Sequence, residues 1–300
     1  MKQKNSLGKQ ILKNRNNYIF MAPYLLVFTL FTIIPVVLAI CLSFTYFNVL
    51  EPARFTGLEN YLNLFLKDEV FQLGLKNTLI FAVITGPAGY LLSLLFAWII
   101  NELPPKLRAL LTLIFYAPSL TGGAVYVWTI IFNNDANGYV NSILYNLGFI
   151  SAPIEWLTSP SYMMFVCVVV ILWMSLETSF LTFIAGLQGV DTSLYEAAAV
   201  DGVRNRYQEF WYVTIPSLKP QLLFGAVMSI TSSFGVGDVI TGLVGYPSND
   251  YAVHTAVHHM QDYGGTRFEM GYACAVATVL FIAMLLANTA IQKVIRKVGN

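Results

Sequence analysis

The sequence predicts an all-α polytopic membrane protein: six transmembrane helices, both termini in the cytoplasm, and a short cytoplasmic helix between spans 4 and 5. Apolar residues make up 56% of the chain and charged residues only 11%, less than half of the roughly 25% that soluble domains carry. Six apolar stretches are long enough to cross a bilayer, which takes about 20 helical residues. Basic residues are also distributed unevenly between the connecting loops, as in membrane proteins of fixed orientation.

The six predicted spans are residues 18–46, 77–100, 107–132, 162–186, 221–242 and 270–291. Glycine and proline interrupt three of them, at residues 86–87, 118–123 and 235–237. Small residues permit close helix approach, and proline opens the backbone hydrogen-bond ladder. Such interruptions are common in transport proteins and in membrane helices generally, so they do not distinguish between classes of membrane protein.

The orientation follows from Lys and Arg, which are enriched in cytoplasmic loops. Thirteen of the 17 lie in an N-terminal arm (residues 1–17), in the loops after spans 2 and 4, and in a C-terminal tail (residues 293–300). The three remaining loops together hold only four: Arg54, Lys67, Lys76 and Arg267. Both termini are therefore predicted to be cytoplasmic, on either side of one transmembrane domain, residues 18–292.

Composition and motifs exclude several classes of function. The 17 basic residues are balanced by 16 acidic ones, so no basic excess points to nucleic-acid binding. Cys41, Cys167 and Cys274 lie within apolar runs and are expected to be free thiols, outside any disulfide framework or metal site. The sequence contains no G-x-x-x-x-G-K-[ST] stretch, so we do not expect it to bind ATP through a P-loop.

The cytoplasmic loop at residues 188–220 carries the most specific pattern. Ser193 and Glu196 have the spacing of a capping box, which predicts a helix with Ser193 as its N-cap and an Ala-rich run over residues 196–200. Gly202 stands where a helix can end in a left-handed cap. The loop therefore begins with a short helix.

A second helical run is predicted over residues 204–213, with Tyr207, Phe210 and Trp211 at i, i+3 and i+4, and Pro216 is expected to end it. The aromatic residues are compatible with a linker held against the lipid headgroups. The small side chains of residues 197–199 favour instead a flat surface that a partner protein approaches closely. Both interpretations place a helix–turn–helix on the cytoplasmic face.

The loop reads Glu196-Ala197-Ala198, then Asp201-Gly202, Phe210 and Val213-Thr214-Ile215-Pro216. This pattern resembles the EAA motif of binding-protein-dependent ABC importer permeases, and the nearest subfamily is the carbohydrate-uptake, maltose-permease type. Residues 55–61, Phe71, Asn77-Thr78 and residues 185–188 support the resemblance, which extends over nearly the whole chain.

Two departures from that family pattern occur. Val203 replaces the usual alanine, and ten residues rather than nine separate Gly202 from Val213. One extra residue within a helix would rotate everything after it by about 100°. We expect the turn at residues 204–206 to absorb it, and the facing of Phe210 depends on this.

The resemblance implies that the short helix is a coupling helix that docks on a cytoplasmic ABC ATPase dimer. Glu196 would offer a carboxylate to a basic partner group, and Ala197 and Ala198 would allow close contact. Gly202 would permit the turn. The remaining coupling residues implied by the motif are Asp201, Phe210 and Pro216.

The resemblance also implies further partners: a second permease subunit in a heterodimer, an extracytoplasmic solute-binding protein, a carbohydrate substrate and membrane lipid. The chain would be a multi-pass protein of the bacterial cell membrane and a transport subunit rather than an enzyme. It would bind no cofactor itself, because the partner ATPase uses the ATP and Mg²⁺.

Polar residues at membrane depth are candidates for the substrate pathway. A carboxylate there costs about 2.5–3.5 kcal/mol on insertion scales, so Glu177 in span 4 is expected to face a cavity or to make a structural hydrogen bond. Hydroxyl groups share one face of each of two spans, and such rows also serve helix packing. These residues are Ser175 and Thr178 on span 4 and Ser229, Ser232 and Ser233 on span 5. Trp173 or Tyr126 is a candidate aromatic platform for a sugar.

Two other classes of function stay open. An ion-coupled secondary transporter would use Glu177 and Asp238, although Asp238 lies near the external end of its span and the inverted repeats of such folds are not evident. A membrane-embedded enzyme would use His254, His258 and His259, but no catalytic grouping can be placed at one depth. His254 and His258 also have the i, i+4 spacing of zinc ligands. Without a clear third ligand, no metal site is predicted.

Overall fold

The computed structural model describes residues 14–176 and 178–295. Glu177 and most of the predicted N-terminal arm and C-terminal tail, residues 1–13 and 296–300, lie outside the described residues. Helices α1 to α14 run, in chain order, over Arg15–Leu42, Glu59–Leu66, Glu69–Asn101, Pro105–Leu120, Ala124–Ile131, Tyr139–Asn146, Pro160–Met174, Thr178–Gln188, Thr192–Val200, Arg206–Ser217, Lys219–Phe234, Gly237–Val244, Ala256–Gln261 and Met270–Ile295. Strands β1 (Thr45–Tyr46) and β2 (Arg54–Phe55) pair antiparallel.

Four helical segments are long and apolar enough to cross a membrane: α1, α3, the α7–α8 segment and α14. Two further pairs of consecutive helices are long and apolar enough only when each pair is taken as one segment, and each pair is sharply bent. Helices α4 and α5 meet at 89°, and α10 and α11 meet at 80°. The described residues therefore provide four candidate membrane helices, or six if each bent pair is one span.

Several predicted boundaries were wrong. The first span ends at Leu42 rather than at residue 46, because Thr45 and Tyr46 pair with β2. The predicted third span is broken between α4 and α5, where Gly122 and Gly123 lie. The predicted fifth span, residues 221–242, covers α11 and part of α12, with a break after Phe234.

Helix α3 is not interrupted at Gly86-Pro87 and continues from Glu69 to Asn101. A Cβ atom on Gly86 would lie 3.2 Å from Ser233 Oγ. The glycine therefore allows α11 to approach α3 closely, and the pair marks a packing contact rather than a break.

The core of the molecule is formed where α3 packs against both α8 and α11, and α14 packs against α11 and the second half of α1. Small residues make these contacts close, since a Cβ atom on Gly225 would lie 2.5 Å from the Phe183 ring. In contrast, no residue of the segment Arg15–Phe28 is buried in the described chain. An apolar segment with this exposure is typical of a helix that faces lipid or another subunit.

Candidate functional sites: an exposed helix and a mid-helix cavity

Helix α9 begins two residues earlier than the capping-box pattern predicts. The Asp191 carboxylate is the N-cap and accepts a hydrogen bond from the Ser193 N–H at 3.0 Å. This bond holds the pKa of Asp191 below its usual value. The prediction of Ser193 as N-cap was wrong, and Glu196 then lies too far into the helix to reach back to the cap. Glu196 is left exposed.

The end of α9 confirms the predicted left-handed cap. Gly202 has φ +95°. The Val203 N–H donates to the Ala198 carbonyl at 3.0 Å and the Gly202 N–H to the Ala199 carbonyl at 3.3 Å, which is the hydrogen-bond pattern of a Schellman motif. The Gly202 backbone thus fixes where the helix stops.

Helix α9 is held along one side and open on the other. No residue of α9 is buried in the described chain, and Ala197 is exposed while Ala198 is half-buried. The Thr214 hydroxyl donates to the Glu209 carbonyl, so the Tyr195 hydroxyl donates to Thr214 Oγ1, at 3.0 Å. This bond ties α9 to α10 and leaves Glu196 and Ala197 exposed.

Helix α10 starts at Arg206, where the Asn205 side chain caps it by accepting from the Gln208 N–H. The residues between Gly202 and Arg206 are not helical. One extra residue in this segment therefore does not change which side chains of α10 face inward. The helix contains a π turn, Phe210–Thr214, and then continues to Ser217. Helix α10 ends at Ser217, one residue after Pro216, so Pro216 marks the end of the helix to within one residue.

Phe210 faces the body of the molecule. Its ring centroid lies 4.6 Å from that of Trp98 on α3. Arg206 supports the same contact, with ion pairs to Glu209 at 2.7 Å and to Glu102, just after α3, at 3.4 Å. Helix α10 therefore packs against the end of α3, and Phe210 lies on the inner side of the loop.

A cavity of about 190 Å³ lies between α3, α8 and α11. Five of the six predicted pathway residues line it: Ser175, Thr178, Ser229, Ser232 and Ser233. Glu177 is not among the described residues. Neither Trp173 nor Tyr126 lines the cavity, because Trp173 packs edge-on against Trp128 at 5.3 Å and Tyr126 is exposed. The suggested aromatic platform is thus not at this site.

The hydroxyl groups of the cavity donate mainly to backbone carbonyls. Ser175 donates to Leu172 O at 2.6 Å, Ser233 to Ile230 O at 2.8 Å and Ser179 to Gly225 O at 3.1 Å. Each hydroxyl oxygen keeps lone pairs that can accept a further hydrogen bond. The cavity is therefore suited to a ligand with hydroxyl donors.

Sequence reasoning missed several lining residues, among them Thr85 and Gly89 of α3 and Ser179 of α8. Ser179 Oγ lies 3.2 Å from Ser229 Oγ and links α8 to α11. The i, i+4 spacing of Ser175 and Ser179, repeated by Ser229 and Ser233, was the signal that could have found it. Gly89 lacks a polar group and gives no comparable signal.

The three histidines form a buried cluster at the opposite, predicted external end. His258 Nδ1 accepts from the Thr255 N–H at 3.1 Å, so Nε2 carries the proton and lies 3.0 Å from Gly237 O. His259 Nε2 lies 3.1 Å from Asp68 Oδ2. No group of three or more His, Cys, Asp or Glu side chains suited to a metal ion occurs in residues 14–176 and 178–295. Asp238 is exposed at the start of α12.

Burial controls the charge of this cluster. It lowers the pKa of His254 to about 4 and also lowers the pKa values of His258 and His259. Burial alone would raise the pKa of Asp68, but hydrogen bonds from the Phe71 N–H and the Tyr272 hydroxyl hold it below its usual value. The cluster therefore contains neutral histidines around one carboxylate near neutral pH.

A bundle of long apolar helices with an exposed, Schellman-capped helix on one end defines a multi-helix membrane protein. Residues 78–299 match the family described as binding-protein-dependent transport system inner membrane component. Because this match covers well over half of the chain, the chain belongs to that family. It is a permease subunit, and the resemblance indicated by the EAA pattern is confirmed.

Relatives from bacteria agree with this assignment. The chain is 32% identical over 307 residues to the probable ABC transporter permease protein YesP of Bacillus subtilis (strain 168), covering 98% of this chain and 93% of the relative. It is 32% identical to the arabinooligosaccharides transport system permease protein AraP of the same organism, covering 90% and 85%. It is 31% identical to the lactose transport system permease protein LacF of Rhizobium radiobacter, covering 90% of each.

A solved structure shares the fold. The crystal structure of a bacterial ABC transporter involved in the import of the acidic polysaccharide alginate has a chain that matches with a TM-score of 0.76. The match covers 99% of this chain and 100% of that chain at 22% identity. The architecture is therefore that of an ABC importer permease.

Proposed function

We propose that this permease subunit passes a sugar, of the oligosaccharide or multiple-sugar class, from an extracytoplasmic binding protein through an alternating-access path. The partners would be a cytoplasmic ABC ATPase dimer, which uses ATP and Mg²⁺, and a second permease subunit. The names of relatives such as AraP and LacF, which refer to arabinooligosaccharides and lactose, support the sugar class.

The proposed topology has six spans, with α4–α5 and the α11 region each crossing once. Both termini, the arm at residues 1–17 and the tail at residues 293–300 would be cytoplasmic. Residues 18–292 would form one transmembrane domain of a multi-pass protein in the bacterial cell membrane. The distribution of Lys and Arg supports this orientation.

One observation carries the coupling proposal: the exposed helix α9 lies in the chain between two helices that line the same cavity. Helix α8 ends at Gln188, three residues before the α9 N-cap, and α10 leads into α11. Ser179 of α8 and Ser229 of α11 face each other across the helix contact. A movement of α9 would therefore displace both α8 and α11, which line the cavity, as a switch between two states requires.

Within this proposal the residues have different tasks. Glu196, Ala197 and Ala198 form the contact surface for the ATPase, and Asp201 and Gly202 shape the end of the helix. Phe210 and Pro216 act from inside, by holding α10 in place. Ser175, Thr178, Ser229, Ser232 and Ser233 offer hydrogen bonds to the sugar, with Glu177 as their predicted neighbour.

Co-purification tests the assignment. The tagged chain is extracted in mild detergent and its partners are identified by mass spectrometry. Wild type is expected to bring down a P-loop ATPase and a second permease, and Ala197→Trp is expected to lose the ATPase. Ala136→Trp, the same substitution at an exposed turn of the predicted external side, is the matched control. Recovery of the chain alone, or an ATPase retained by Ala197→Trp, would contradict the proposal.

A further inference from the structure

Helix α10 meets α11 at an angle of 80°. Helix α11 belongs to the apolar core, packed between α3, α8 and α14. If α11 crosses the membrane near its normal, α10 runs nearly parallel to the membrane plane at the end where the loop emerges. A helix in this position meets the headgroup layer along its length.

The two faces of α10 have opposite environments. On its inner face, Phe210 packs on Trp98, and Val213 and Thr214 are only 8% and 3% exposed. Its outer face carries three large aromatic side chains, Tyr207, Trp211 and Tyr212, which are 66%, 47% and 72% exposed.

This outer face has the chemistry of the membrane interface. Trp and Tyr concentrate at the headgroup level because an apolar ring and a polar N–H or O–H can be satisfied there at once. Helices of this kind lie in the interface plane. Arg206 is already ion-paired with Glu209 and Glu102. The outer face of α10 would therefore interact with the headgroups through its aromatic rings rather than through a net charge. Phe224 of α11 is also 48% exposed.

We propose that α10 is an interfacial helix whose Tyr207, Trp211 and Tyr212 side chains insert among the lipid headgroups of the cytoplasmic leaflet. The proposal rests on the membrane orientation given above but requires neither the sugar nor the ATPase. It divides the loop into two surfaces: α9 faces a protein partner and α10 faces lipid. The Tyr195–Thr214 hydrogen bond joins them, so movement of α9 acts on a helix that lipid keeps in the membrane plane.

Site-specific fluorescence quenching tests the proposal on the full chain in proteoliposomes. Cys41, Cys167 and Cys274 are replaced by alanine, and one new cysteine is labelled with an environment-sensitive fluorophore. Tyr212→Cys reports on the outer face of α10. Val200→Cys, at a position 88% exposed on α9, is the matched control. The vesicles contain phosphatidylcholine bearing a nitroxide near the headgroup, and iodide is the aqueous quencher.

At position 212 we expect quenching by the nitroxide lipid several-fold stronger than at position 200, and iodide quenching in the reverse order. Equal access of iodide to both positions would overturn the proposal. So would a probe at position 212 that becomes protected only when the ATPase is added, because the aromatic face would then be a protein contact. None of these measurements uses ATP or sugar, so failure of the importer assignment would not alter them.

Discussion

Replacing Gly202 by alanine removes the glycine from a left-handed position without creating a clash. The residue has φ +95°, and a Cβ atom there would meet nothing within 4 Å. The whole cost is therefore conformational. Since α9 has no buried residue, few other contacts hold its end in place, and the change acts directly on the geometry of the coupling helix.

The magnitude follows from the backbone. An L-residue in the left-handed region costs roughly 1–2 kcal/mol, which corresponds to a factor of about 5–30 in an equilibrium. We expect the affinity of the ATPase for the permease, and with it coupled transport, to fall by this factor. The fold is expected to persist because the packing of α3, α8 and α11 is untouched.

Gly148 provides a matched control. It follows α6 with φ +75° and also has nothing within 4 Å of a Cβ atom. Its N–H donates to the Tyr145 carbonyl, and the Phe149 N–H donates to the Leu144 carbonyl, so it ends α6 in the same motif that Gly202 makes. Gly148→Ala therefore carries the same backbone cost at the opposite end of the molecule.

The assay is ATP hydrolysis stimulated by the binding protein, measured in proteoliposomes as the ATPase subunit is titrated. Gly202→Ala should shift the titration midpoint about 5- to 30-fold, and Gly148→Ala should leave it unchanged. Equal shifts in both variants, or none in Gly202→Ala, would refute the reasoning that α9 geometry sets the coupling.

Three further predictions concern packing and pH. Gly89→Ala would place a Cβ atom 2.8 Å from Ser175. This overpacking should cost about 1–3 kcal/mol of stability and lower both Tm and uptake. Gly265→Ala, where a Cβ atom would meet open space, should change neither. Ser179→Ala removes the hydrogen bonds between α8 and α11 and should cost about 0.5–1.5 kcal/mol. An effect no larger than that of Thr182→Ala, at a half-buried position of the same helix, would contradict this. The depressed pKa of His254, about 4 against 6.5, means that the unfolded chain binds more protons between these values. Stability should therefore fall as pH drops through that window, and a thermal unfolding profile identical in His254→Phe would exclude His254 as the cause.

Much of the cytoplasmic loop could be predicted from local rules. Gly202 ends α9 in a left-handed cap because few residues other than glycine tolerate that backbone. The start of α9 could not be fixed in the same way. Asp191 and Ser193 are both good N-cap residues, so the sequence does not determine which of the two side chains caps the helix.

Residues that act through tertiary packing were harder to predict. Gly86-Pro87 reads as an interruption, yet α3 continues through it because Gly86 allows close contact with Ser233. Gly89 and Thr85 reach the cavity only because α3 packs between α8 and α11. Phe210 turns inward because Trp98, more than a hundred positions earlier in the chain, lies beneath it.

The most direct test of the central claim is the energy source for uptake. Labelled oligosaccharide uptake is measured in proteoliposomes that contain the chain with its co-purified partners. ATP is supplied on the side of α9, the binding protein on the other side, and ion gradients are collapsed with ionophores. We expect uptake that requires ATP and binding protein and persists without any gradient. Uptake driven by an ion gradient in the absence of ATP would contradict the account and favour an ion-coupled transporter that uses Glu177 and Asp238.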